Sequence, residues 1–245
     1  ASGVIAASGG NAGIATAAAA QLLGVPCEVF LPDVASQAKR AKLRSLGAKV
    51  TVGGAAFADA YAACLERQQA TGALMNHAYD QIEVVAGAGT VAAEIEAQQG
   101  FLPDSMLVSV GGGGLISGIA AYCHGKSKVI ALEPRLAPTL YEARQAGQPV
   151  DVAVGGVAAD SLGAKRIGTI CWQVQGTAID DMLLLEDNAI RAAQLWLWHA
   201  LKLAVEPAAA LGLAALQTGA YKPRADEKVC LVLCGANIDP ASLSG

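Results

Sequence analysis

The stretch Ser105-Met106-Leu107-Val108-Ser109-Val110-Gly111-Gly112-Gly113-Gly114-Leu115-Ile116-Ser117-Gly118 decides the fold. An apolar run of strand length meets four glycines, and a helical pattern opens directly after them. Glycine lets a backbone turn sharply and approach a ligand closely. The leading amides of the next helix have no intrahelical acceptors, and the helix dipole favours an anion there. A phosphate is the natural guest. The other explanation is a flexible connection. Four consecutive glycines carry a large entropic cost, however, and their place between a buried strand and a helix points to function. No Walker lysine follows, which argues against a nucleoside triphosphate. Gly87-Ala88-Gly89-Thr90-Val91-Ala92 matches a dinucleotide-binding pattern, but the preceding Asp80 to Val85 makes a poor buried strand.

Outward from this stretch, short apolar runs alternate with helical ones. Strands are expected at 4–7, 27–31, 48–52, 105–110, 129–132, 182–185 and 229–233. Helices are expected at 12–23, 37–46, 55–70, 85–98, 115–122, 139–145, 187–204 and 207–219. The alternation predicts an α/β fold with parallel sheets. The seam should lie near Ala73 to Tyr79, with a smaller domain over 1–75 and a larger one over 76–245.

Composition narrows the function classes. Hydrophobic residues make up 53% and charged residues 16% of the 245, so the chain has a large core and is not disordered. A net charge of −4 offers no surplus to neutralise a nucleic-acid backbone. No stretch reaches about 18 uninterrupted apolar residues, so no membrane partner is expected. The six cysteines form no C-x-x-C pair, and reduced thiols in a reducing, cytoplasmic compartment are the expectation.

Three further stretches carry chemistry. Ser8-Gly9-Gly10-Asn11-Ala12-Gly13 lies between a strand and a helix and gathers amides where a carboxylate could bind, or where Ser8 or Asn11 simply caps the helix. The strand from Val229 ends in Cys234-Gly235-Ala236-Asn237, which sets Cys234 at a carboxyl end where ligands bind, unless it is a small core residue. Glu206, before Pro207, either offsets a helix dipole or ligates a cation with backbone carbonyls.

Taken together, in this order, the set resembles the fold-type II pyridoxal-phosphate enzymes, specifically the serine/threonine dehydratase group. Ser8 to Gly13, Ser109 to Leu115, Val205-Glu206-Pro207-Ala208 and Cys234 to Asn237 carry the resemblance, with Glu133-Pro134 and the 155–163 stretch in support. It implies two open twisted sheets with helices on both faces, like the tryptophan synthase β-subunit, and a cofactor between the two domains. It implies that Gly111, Gly112, Gly113, Gly114 and Leu115 hold the phosphate of pyridoxal 5′-phosphate. Asn11 would bond the ring 3′-oxygen, and Cys234 would face the pyridine nitrogen. Ser8, Gly9, Gly10 and Asn11 would grip the carboxylate of a small amino acid. Glu206 and the Ala210 carbonyl would belong to a mono- or divalent cation site, and the assembly would be a homodimer.

The implied reaction removes the β-hydroxyl of serine or threonine, giving a 2-oxo acid and ammonia. The family's Schiff-base lysine stands in a Ser-x-Lys-x-Arg-Gly-like segment well upstream of the first glycine loop, and only seven residues precede Ser8. The expectation is therefore a chain truncated at its N-terminus and inactive by itself. The alternatives are an amino-acid racemase on the same scaffold, with Ser161 as its proton donor, and a remnant that binds only phosphate or the cofactor.

Overall fold

The computed structural model describes residues 2–55 and 57–243, which form two compact units, Ala1–Gln81 and Ile82–Gly245. The smaller unit alternates β1 (Val4–Ala7), α1 (Asn11–Leu23), β2 (Cys27–Leu31), α2 (Gln37–Ser45), β3 (Lys49–Val52), α3 (Phe57–Thr71) and β4 (Leu74–Met75). Its sheet is parallel, in the order β3-β2-β1-β4. Parallel neighbours require crossovers, so the helices fall on the faces and bury the strands from both sides. All five residues of β2 are buried. Side chains alternate along a strand, so Cys27, Val29 and Leu31 meet Ala17, Ala20 and Leu43, whereas Phe30 meets Ala60 and Cys64 of α3.

Glu28 is the polar exception in β2. Burial raises its pKa, but Lys49, Thr51 and Arg67 more than offset this and hold the carboxyl below its usual range. The Thr51 hydroxyl donates at 2.7 Å and Arg67 Nε at 2.9 Å. The two-residue β4 is absent from the sequence expectations, because so short a run has no periodicity to read.

The larger unit opens with α4 (Ile82–Gln99), β5 (Ser105–Ser109), α5 (Gly114–Cys123), β6 (Lys128–Pro134) and α6 (Thr139–Ala146). It continues with α7 (Thr169–Ala178), β7 (Asp181–Leu185), α8 (Asp187–Leu201), α9 (Leu211–Gln217) and β8 (Val229–Leu231). Its parallel sheet runs β7-β6-β5-β8. On one face Met106, Val108 and Val110 pack with Ile116, Ile119 and Cys171; on the other Leu107 packs with Ile190, Leu211 and Ala214. The fold class is α/β, two parallel four-stranded sheets with helices, as the sequence leads one to expect.

The structure differs locally from these expectations at four places. Thr169, Ile170, Val174, Gly176 and Thr177 are weak helix formers, so α7 has little local signal, and its packing against α5 overrides propensity. The helix expected over 207–219 begins as a 3-10 turn, Pro207–Ala210, and becomes α9 at Leu211. Helix α8 stops at Leu201 because Lys202 turns left-handed at φ 59° and its amide closes on the Trp198 carbonyl. Strand β8 ends at Leu231, two residues earlier than expected.

The dinucleotide-like glycines at 87 and 89 lie inside α4. A β-carbon on Gly89 would stand 2.9 Å from the Gly118 carbonyl oxygen, and one on Gly118 would collide with the Val85 carbonyl and the Gly89 amide. These glycines let α4 and α5 cross closely, and they form no strand-to-helix phosphate turn.

Candidate functional site

Strand β5 pairs with β6 on one side and β8 on the other; β1 likewise pairs with β2 and β4. In each sheet the chain steps outward on one side, β1-β2-β3 or β5-β6-β7, and then returns past the starting strand to β4 or β8 on its other side. Ligands of open α/β sheets bind beyond the carboxyl ends of strands at such switch points. Each of the two glycine loops read from the sequence follows the switch-point strand of its own sheet.

The turn after β5 is built by contact as much as by flexibility. Gly113 has φ +93°, a conformation side chains rarely adopt, and its β-carbon would collide with Cys171 and press on Ile167. A β-carbon on Gly111 would lie 3.2 Å from the Leu162 Cα. The Gly112 carbonyl accepts from the Gly168 amide at 2.9 Å. Segment 162–171 thus walls the turn. Ser117 turns inward, with its amide and its hydroxyl both donating to the Gly113 carbonyl, at 3.0 and 2.6 Å. The amides of Gly111, Gly112 and Gly113 have no protein acceptor among the described residues. They join the open first-turn amides of Gly114 and Leu115 at the start of α5.

The loop after β1 is tied locally. Ser8 Oγ accepts from the Gly10 amide at 3.3 Å. Gly10 is the residue that precedes α1, and it provides no side-chain cap. The cap position of α1 is thus held by glycine rather than by Ser8 or Asn11. Asn11 opens α1 and is exposed, and Ser8, Gly9 and Gly10 are half-buried. Gly13 is required, because a β-carbon there would collide with the Ser8 carbonyl.

Beyond β8, Cys234 is exposed as a residue, but its thiol turns toward Ser109 at the end of β5. Desolvation, with the nearby Glu206 charge, pushes the thiol up from its ordinary range, so it stays protonated at neutral pH. Ser109 also donates to the Ala208 carbonyl at 2.6 Å. In the sequence Ser109 stands out only as part of the glycine motif; the signal for a role of its own is a serine inside an otherwise apolar strand.

Glu206 is buried, and its Oε1 accepts from the Asn237 amide at 2.7 Å. Its own amide donates to the Gly235 carbonyl at 3.0 Å. Ala210 is fully buried at the end of the 3-10 turn. Among the described residues no three His, Cys, Asp or Glu side chains converge, so an ion at Glu206 would depend on main-chain oxygens. Glu133, at the end of β6, is a buried carboxyl whose pKa burial pushes up to about 7. The amides of Leu140 and Tyr141 at the start of α6 donate to it at 2.7 and 2.9 Å.

The residues present fit the phosphate end of pyridoxal phosphate. The glycine turn offers amides without side chains, at the positive end of a ten-residue helix. A neutral thiol also fits a weak contact to the ring nitrogen.

A model of the pyridoxal-phosphate-dependent enzymes matches residues 1–235. The chain is 38% identical to an L-threonine ammonia-lyase of Geobacter sulfurreducens, covering 100% of this chain and 61% of that protein. It is 31% identical to a serine racemase of Arabidopsis thaliana, covering 99% of this chain and 75% of that one. The solved maize serine racemase superposes with a TM-score of 0.90 at 29% identity, over 99% of this chain and 75% of that one. The chain thus spans about three fifths of the lyase's length and three quarters of the racemase's. With the glycine turn at the switch-point strand and this match across both sheets, the chain belongs to the pyridoxal-phosphate-dependent enzymes.

Proposed function

We propose that this chain holds the cofactor and substrate of an ammonia-lyase that removes the β-hydroxyl of serine or threonine. The turn Gly111–Gly114 carries the proposal, because its unshared amides suit a doubly charged ester. The likeness to a threonine ammonia-lyase at 38% identity supports the reaction class. When bound, the cofactor supplies the electron sink for the charge left by the departing α-proton.

The chain's own residues do the rest. Amides of Gly111 to Leu115 orient the phosphate. The loop from Ser8 to Asn11 takes the substrate carboxylate; Ser8 Oγ accepts from Gly10, which leaves its proton to donate. Asn11 bonds the ring oxygen. The protonated Cys234 thiol leaves the ring nitrogen largely unprotonated. A cation between Glu206 and the Ala210 carbonyl, a homodimer and a cytoplasmic location belong to the same proposal. An exposed apolar face of α4 and α5, with Ile82 and Tyr122 on it, gives two copies a surface to bury.

Incubation with L-serine or L-threonine tests the proposal: 2-oxo acid and ammonia are expected. A polypeptide of residues 1–245 has no lysine in a Ser-x-Lys-x-Arg-Gly-like segment. That polypeptide is expected to bind cofactor with little turnover, and robust turnover by it would refute this expectation.

A second reading, amino-acid racemase, has support of its own in the two serine racemases. Ser161 sits in the turn that walls Gly111, its hydroxyl 3.4 Å from the Ala158 carbonyl. Formation of D-serine, lost in Ser161→Ala, would favour that reading. Cofactor binding with neither product would leave a non-catalytic binding protein.

A further inference from the structure

We infer that Asp187 is a positioning residue for the cofactor-phosphate turn, acting through Gly156 and segment 155–171, which is irregular up to the start of α7. This rests on the role proposed above for Gly111–Gly114.

Segment 155–171 touches three of the four glycines. Leu162 stands against Gly111, the Gly168 amide donates to the Gly112 carbonyl, and Cys171 lies under Gly113. Most of this segment has no regular hydrogen-bond ladder, so its place depends on a few anchors. The Gly155 amide donates to the Leu136 carbonyl at 2.8 Å, and the Thr139 hydroxyl to the Ala164 carbonyl at 2.8 Å. Arg166 pairs with Asp151 at 3.0 Å, and the Lys165 carbonyl accepts from the Val152 amide at 2.8 Å. The charged anchor nearest Gly156 is Asp187, the first residue of α8. Its Oδ2 accepts from the Val157 amide at 2.9 Å. The same carboxylate packs flat against Gly156, where a β-carbon would stand 2.5 Å from Oδ2 and 2.9 Å from Oδ1. Gly156 has φ +79°, which also excludes side chains. Asp187 Oδ1 is shielded from solvent and has no partner among the described residues.

A shielded carboxylate oxygen without a partner costs stability. A residue kept only to begin α8 would have no need to bury one. The fit of Asp187 on Gly156 instead fixes where the chain from Val157 to Leu162 runs, and so where Leu162 meets Gly111. If the wall shifts, the glycine amides lose their common focus. The reaction groups at Cys234 and in the first glycine loop are not part of this contact, so the effect should fall on the phosphate alone.

The test compares pyridoxal phosphate with pyridoxal, which lacks the phosphate, binding to the purified protein by equilibrium dialysis. Asp187→Ala and Gly156→Ala are each expected to weaken pyridoxal phosphate about tenfold or more, with pyridoxal changed less than about twofold. Asp187→Asn keeps an acceptor for the Val157 amide and is expected to restore near-parental affinity. Asp187→Ser carries the same expectation as Asp187→Ala should that variant not fold. Parental affinity in Asp187→Ala, or equal losses for both ligands, would overturn the inference. A parent protein that does not prefer pyridoxal phosphate to pyridoxal would instead overturn the role of the glycine turn, and the two failures are distinguishable.

Discussion

Gly113 shows how much one position can settle. Its φ of +93° costs an ordinary residue of order 1–2 kcal/mol, and a methyl there would run into Cys171, a further ~1–3 kcal/mol of overpacking. Gly113→Ala is therefore expected to lower stability by about 2 kcal/mol or more in urea titration, and to weaken phosphate-ester binding in the molecules that remain folded. Glu133 gives a prediction in pH. Its carboxyl is raised from 4.5 to about 7 by burial. Between these values the folded protein holds a proton that the unfolded chain has released. Stability must then fall as pH rises through that window, since the folded state binds more protons. Glu133→Gln is expected to flatten that part of the stability–pH curve, measured by denaturation at pH 4.5 and 7. The glycine turn between a strand and a helix was legible in the sequence, whereas the roles of Asn11, Cys234 and Glu206 came from the family resemblance and belong to the proposal. Glu133's shift was not legible, because desolvation depends on everything packed around it.

At the scale of elements, the crossing of α4 and α5 depends on two glycines facing each other. Gly118→Ala would push a methyl into the Val85 carbonyl and the Gly89 amide, which are backbone and yield little. A loss of about 1–3 kcal/mol is expected, read as a lower denaturation midpoint. The same pair explains why the dinucleotide-like spacing misleads: glycine at a helix crossing and glycine at a phosphate turn have the same sequence sign but different surroundings. Strands β1, β2, β5 and β6 were readable because each is a buried apolar run between turn signals. Strand β4 and helix α7 were not, the first for its length and the second for its weak helix formers.

At the scale of the whole molecule, the exposed apolar face on α4 and α5 should mediate association of two copies. Ile82, 73% exposed, is the natural probe. Ile82→Arg is expected to shift sedimentation from dimer to monomer, and an unchanged sedimentation coefficient would count against the homodimer. By itself the sequence determined the α/β alternation, the parallel sheets and both glycine loops, because hydrophobic period, glycine and helix starts are local signals. Only the tertiary structure decided which strands are switch points, what walls the turn after β5, and why Gly156 and Asp187 belong together. Those are relations between segments tens of residues apart, set by which surfaces pack against each other.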